Sequence, residues 1–180
     1  MTDMNKPDQY LEQNLHRSIE ELKTFVAQPS VSAKKQGQPE CARLVADALE
    51  KRGFQVTIHQ TDGAPIISAV RQGKSAQTLL FYDHYDVQPA EPLELWDIPP
   101  FEPTLRDGKL FGRGVSDNKG DIANRLLAID AILADQGELP CTVKFLIEGE
   151  EEVSSTNLEA FVNSHQQELA ADACIWEFGS

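Results

Sequence analysis

Strand-sized apolar runs alternate along this chain with segments of helical period, and several of those runs end in a histidine or carboxylates. Leu11, Leu15, Ile19, Leu22 and Val26 recur at helical spacing and predict a helix over 9–27, ended by Pro29. Leu44, Val45, Ala48 and Leu49 form one stripe of a second helix over 39–52, stopped at Gly53. The period then changes. Residues 54–58, 66–70 and 78–82 read as short strands bounded by turn residues. Residues 88–103, with Pro89, Pro92, Pro99, Pro100 and Pro103, read as a stiff loop. Asp107-Gly108 is a hairpin signal between Thr104-Leu105 and Leu110-Phe111. A third helix comes after Gly120, with Ile122, Leu126, Ile129 and Leu133 on one face, and ends at Gly137. Residues 142–147 form another strand. Thr156 with Glu159 is a capping box opening a helix to about His165, and 172–176 is a last strand. Strands alternating with helices predict a three-layer αβα arrangement around a mixed, largely parallel sheet.

Open α/β sheets bind ligands beyond the carboxyl ends of their strands. The residues just past the strands of this chain are chemically biased. Asp83-His84-Tyr85-Asp86 comes after the run ending at Tyr82, and 112–120 (Gly-Arg-Gly-Val-Ser-Asp-Asn-Lys-Gly) comes after the hairpin. Glu148-Gly149-Glu150-Glu151-Glu152 comes after Ile147, and Glu177 after Trp176. Clustered carboxylates repel unless something neutralises them, and a divalent cation does so well. Imidazole and carboxylates without thiolate suit zinc, with manganese or cobalt as alternatives. A carboxylate two residues from a ligating histidine commonly orients the ring through its second nitrogen, which is the place of Asp86. Taken singly, each piece has a structural explanation: a packed histidine, a solvated acidic run. Four segments reaching one sheet edge together favour a metal site. The glycine-bearing segment is no phosphate loop, because Asp117 stands where the last glycine would be and no Gly-Lys-Ser/Thr is present after it. Residues 117–121 also lack the spacing of an EF-hand loop.

Composition narrows the function classes. The 180 residues carry a formal net charge of −13, so no basic surface is available for a nucleic-acid backbone. No apolar run is long enough to span a bilayer, and the amino-terminal stretch has no signal-like apolar region. Cys41, Cys141 and Cys174 are far apart and form no Cys-x-x-Cys pair. Reduced thiols and a cytoplasmic location are the expectation, with no nucleic-acid or membrane partner.

Three stretches in order resemble one family: 84–89 (His-Tyr-Asp-Val-Gln-Pro), 112–120, and 148–154 (Glu-Gly-Glu-Glu-Glu-Val-Ser). Residues 28–32 and 96–101 are similar to it as well. The family is that of the di-zinc aminoacylase and carnosinase-type peptidases, which includes glutamate carboxypeptidase, acetylornithine deacetylase and succinyl-diaminopimelate desuccinylase. The resemblance implies two divalent metal ions, with zinc expected and manganese or cobalt as alternatives. It implies His84, Asp117, Glu152 and Glu177 as metal ligands, with Asp117 shared between the ions and joined to Asn118 by a cis peptide. Asp86 would orient His84, and Glu151 would be the catalytic base for a metal-activated water. Glu177 stands where the family often has Asp, and Asp83 where a glycine is common.

The implied substrate is a dipeptide, a small peptide or an N-acyl amino acid. The alternatives are a deacylase or desuccinylase, or a non-catalytic metal-binding relative. A truncated product that folds poorly is a further possibility. The resemblance also implies that 1–180 is the amino-terminal part of a catalytic domain whose full-length form is a homodimer. On this expectation the inserted dimerisation domain, a second ligating histidine and an oxyanion-stabilising histidine lie outside the chain. The 180 residues alone are then expected to bind at most one ion well and not to turn over substrate. His16, His59 and His165 fall outside the motifs and read as structural or solvated.

Overall fold

The structure, a computed structural model, describes residues 5–176. Its centre is a five-stranded sheet of β1 (Gln55–His59), β2 (Ile66–Arg71), β3 (Ser75–His84), β6 (Cys141–Glu148) and β7 (Ala173–Ile175) in the order β1-β2-β6-β3-β7. β1–β2 and β2–β6 pair antiparallel, whereas β3 runs parallel to both β6 and β7. The mixed sheet is therefore split evenly between the two pairing modes among the described residues. Its parallel half, β6-β3-β7, carries the stretches that begin at His84 and at Glu148, while 112–120 lies between β5 and the helix over 119–136. A separate hairpin joins β4 (Thr104–Arg106) to β5 (Lys109–Phe111) through the predicted Asp107-Gly108 turn.

The period-two pleat divides the apolar residues into two cores. Ile67, Ala69, Val143, Phe145 and Ile147 point to one face. There they meet Phe25 of α1 (Lys6–Ala27), Cys41 to Leu49 of α2 (Gln38–Glu50), and Ile122, Leu126 and Ile129 of α3 (Lys119–Gln136). Ile66, Tyr82 and Leu146 point to the other face and are covered by Phe161 of α4 (Leu158–Ser164) and Leu169 of α5 (Gln166–Leu169). Burial of side chains of this size contributes roughly 1.5–3 kcal/mol each, which sets the three-layer order.

Several details differ from the sequence reading. α1 begins at Lys6, capped by the Asn5 side chain, which accepts from the Asp8 amide at 3.0 Å. Most of the expected stripe faces inward, with Leu22 packed on the core and Val26 buried, but Leu15 is 53% exposed and Ser18 and Phe25 join the buried face. Arg17 reaches Asp130 of α3 at 3.0 Å. The capping box does not form, because α4 starts at Leu158 with Asn157 before it and no side-chain cap. The Asn157 amide donates instead to Glu150 Oε2 at 2.6 Å, and Ser154 and Ser155 at positive φ turn the chain ahead of the helix. The short α5 has no periodic signal in sequence. The proline-rich loop holds a 3-10 turn at Leu93–Leu95 and a cis Glu91-Pro92 peptide.

Arg52, just past α2, ties the helical layer together. Its guanidinium bonds both Glu21 oxygens of α1, at 3.0 and 2.8 Å, and both Asp130 oxygens of α3, each at 2.9 Å. Among the described residues no helix is long and apolar enough to cross a membrane.

Candidate active site

Parallel neighbours β3 and β6 end side by side, with His84 in register with Glu148. The chain leaving β3 delivers His84, Asp86 and Gln88, and the chain leaving β6 delivers Glu151 and Glu152 in a 3-10 turn (Glu151–Val153). The segment 112–118 before α3 delivers Asp117. Asp117-Asn118 is a cis peptide, as the resemblance implied.

His84 is fully buried, and its ring orientation is over-determined. Nδ1 faces two acceptors, the Asp86 carbonyl at 3.1 Å and Asp86 Oδ1 at 3.3 Å, so Nδ1 carries the proton. Nε2 faces Asp117 Oδ1 at 3.0 Å and Glu151 Oε2 at 3.8 Å. Two carboxylate oxygens thus approach one ring nitrogen, an arrangement that a proton or a cation between them stabilises. That donor set, one imidazole nitrogen and carboxylate oxygens, is one a divalent transition ion accepts.

The loops are bolted from beneath by groups that do not face the site. Asn118 accepts the His84 amide at 3.2 Å through Oδ1 and donates to Asp121 at 3.0 Å, fixing Asp117 relative to β3. Lys119, wholly buried, donates to the Phe25 and Gln28 carbonyls at the end of α1, at 2.9 and 2.7 Å. Gly114 sits at φ +85° with the Val87 side chain 2.5 Å from where a Cβ would stand, so a side chain there would push the segment outward. Asp86 does more than orient His84. Its two oxygens accept the backbone amides of Glu151 and Glu152, each at 3.2 Å, and seat the acidic turn against the histidine.

Of the sequence-derived candidates, His84, Asp86, Asp117 and Glu151 lie together. Glu152 is adjacent, but its Oε2 accepts from Gln88 Nε2 at 2.6 Å. Burial pushes the Glu152 carboxyl above its ordinary value and Gln88 opposes this, while the Asp117 charge adds to the rise. Glu177 lies outside the described residues. Among the described residues, no three His, Cys, Asp or Glu side chains are already gathered as an ion-holding group. Asp83 is buried against Arg125 of α3, and neither of its oxygens makes a hydrogen bond of ordinary geometry. Burial raises its pKa to about 7 against the opposing guanidinium.

Sequence reasoning missed Gln88, Asn118 and Lys119 as site-building residues. Gln88 continues the every-second-residue pattern of His84 and Asp86. Asn118 and Lys119 were readable only as part of a motif. His59 and His165, set aside as structural, pack ring to ring at 5.0 Å on the α4 face, away from these groups.

Known proteins share this architecture. The sequence model of Peptidase family M20/M25/M40 matches residues 80–180. A succinyl-diaminopimelate desuccinylase from Delftia acidovorans is 35% identical over 151 residues, covering 79% of this chain and 38% of that protein. The M20 family metallo-carboxypeptidase Sso-CP2 from Sulfolobus solfataricus superposes with a TM-score of 0.86 at 38% identity, over 91% of this chain and 37% of its own. Human carnosine dipeptidase 1 superposes with a TM-score of 0.83 at 31% identity, over 95% of this chain and 40% of its own. The chain thus spans about two fifths of the length of each of these proteins. With the family model covering more than half of its residues, the chain belongs to the M20 peptidase family.

Proposed function

We propose that this chain carries the metal-binding and proton-transfer half of a two-metal amidohydrolase acting on dipeptides or other small peptides. The reading rests above all on the state of His84: Nδ1 is committed to Asp86, and Nε2 faces the carboxylate oxygens of Asp117 and Glu151. His84, Asp117, Glu152 and Glu177 are the residues that would hold divalent ions, with zinc the best match to the donor set and manganese or cobalt next. Such ions would polarise the scissile carbonyl and make a water acidic near neutral pH.

The remaining work falls to the protein. Glu151 is the general base: its carboxylate is partly open to solvent and faces the histidine, while its backbone amide is held by Asp86. It takes a proton from water and returns it to the departing amine nitrogen. Asp86 keeps the base in range through that amide, and Gln88 holds the Glu152 oxygen from which an ion would draw it. The two carbonyls that Lys119 grips fix the floor on which Asp117 stands.

The test is Glu151→Gln in the protein carrying this chain. It should retain its metal content while kcat falls by roughly 10²–10⁴-fold, the usual contribution of a general base. Loss of metal with the substitution would make Glu151 a ligand instead. A second reading, removal of an N-acyl group from an amino acid, is favoured by the 35% identity to a desuccinylase. Parallel assays on a dipeptide, an N-acetyl and an N-succinyl amino acid separate the two. A homodimeric full-length enzyme in the cytoplasm is part of the same proposal.

A further inference from the structure

Residues 149–157, between the end of β6 and the start of α4, make an excursion that carries Glu151 and Glu152, and a second carboxylate closes it at its base. Glu148, the last residue of β6, is 1% exposed. Its Oε1 accepts the Tyr82 hydroxyl at 2.6 Å and the Ser155 hydroxyl at 2.7 Å. Tyr82 lies on β3 two residues before His84, and Ser155 is where the excursion returns. Ser154 and Ser155 both sit at positive φ, +74° and +49°, and the Ser155 amide donates to the Glu150 carbonyl at 2.8 Å. Such a backbone is uncommon for residues with a side chain and persists where surrounding contacts hold it. Gly149, immediately after Glu148, lies so close to Tyr85 that a Cβ would stand 2.3 Å from its hydroxyl.

A carboxyl group in a dry layer is an expensive way to fill space, and an apolar side chain would do so at lower cost. Nothing about the core requires Glu148. What it supplies is an acceptor able to receive two hydroxyls from two directions, one fixed in the sheet and one on the returning end of the excursion.

We propose that Glu148 is a positioning residue: joined to Tyr82 and Ser155, it pins the base of the excursion to β3 and thereby sets where Glu151 and Glu152 stand relative to His84. This inference rests on the reading of Glu151 as base and Glu152 as ligand. Asp86 grips the excursion near its tip through the Glu151 and Glu152 amides, and Glu148 grips it at its foot. Two separate anchors restrict rotation as well as distance, which one anchor cannot do.

The experiment compares the protein carrying this chain with its Glu148→Leu and Glu148→Gln variants. Leucine keeps the volume and removes the acceptor. Glutamine keeps an amide oxygen that receives the same two hydroxyls. Amide hydrogen exchange over 149–157 and Co²⁺ titration are the readouts. Glu148→Leu should raise exchange within the excursion while β3 and β6 keep their protection, and weaken Co²⁺ binding by about 10–100-fold, as loss of a group that orients ligands does. Glu148→Gln should restore both close to the parent. Unchanged exchange in the excursion, protection lost uniformly across the sheet, or a glutamine variant as damaged as the leucine one would each overturn the proposal. Glu152→Ala serves as the control for the underlying reading. If it binds Co²⁺ like the parent, Glu152 is not a ligand of that ion and its assignment fails, while exchange in the excursion still decides whether Glu148 is its anchor.

Discussion

An ammonium group in a dry interior is costly unless its protons are taken up, and Lys119 meets that condition with two main-chain carbonyls rather than a counter-ion. Burial pulls its pKa below the ordinary lysine value, opposed by Cys41 and Asp86. Lys119→Met keeps much of the apolar stem and strands the Phe25 and Gln28 carbonyls, so urea denaturation should show a loss of about 2–4 kcal/mol. A loss below about 1 kcal/mol would mean that water or backbone relaxation satisfies those oxygens. At this scale the sequence was informative about what faces the site and uninformative about what lies under it. His84, Asp86, Asp117 and Glu151 declare themselves by residue type and by position after strands. Lys119 reads as an ordinary surface cation until its burial is seen, and Glu148 as one more member of an acidic run. The difference is physical: chemistry demands particular atoms, whereas support demands only a donor or acceptor at a place the fold chooses.

Elements are joined by two polar devices, one on each side of the sheet. On the helical side, Arg52 spans α1 and α3 with side-chain exposures of 11, 24 and 14% for Arg52, Glu21 and Asp130. Arg52→Met leaves two partly buried carboxylates without their shared cation, and should destabilise the chain by about 3 kcal/mol in chemical denaturation. A change within about 0.5 kcal/mol would place the clamp among surface pairs. On the opposite side, His59 of β1 bonds the Ser68 hydroxyl at 2.8 Å and packs edge-on against Phe161 of α4 and His165 just past it. Burial lowers the His59 pKa from its usual 6.5, Glu168 of α5 opposes this, and His165 adds to the lowering. The folded state therefore holds this proton less tightly than the unfolded chain. Stability from this group is complete above pH 6.5 and is lost as pH falls from there through the depressed folded value. His59→Phe should flatten the thermal-stability slope just below pH 6.5, and an unchanged slope would assign the dependence to other groups. Apart from α5 and the β4–β5 hairpin, the helices and strands were legible from apolar runs and their period, with ends displaced by a few residues. Arg17 ties α1 to Asp130 of α3, Arg52 ties it to the end of α2, and Asn157, ahead of α4, donates to Glu150. Long-range polar contacts of this kind leave no local periodic trace.

The whole molecule has a directional organisation: apolar layers on both faces of the sheet, and an acidic rim at the carboxyl ends of its parallel strands. That rim was foreseeable because β3 and β6 both run out into titratable residues. The pairing of β2 with β6 in antiparallel sense was not, since strand order depends on which apolar faces meet across the sheet. If His84, Asp117 and Glu152 hold divalent cations through the shared Asp117, the ions themselves can be located. The decisive measurement is a crystal structure of the 180-residue chain grown with Zn²⁺ or Co²⁺, with anomalous scattering collected at the metal edge. A shared site requires a peak bonded to His84 Nε2 and an Asp117 oxygen, with Glu152 released from Gln88 toward it. A peak elsewhere on the surface, or His84 Nε2 still bonded to Asp117 with no metal between them at saturating ion, would contradict it.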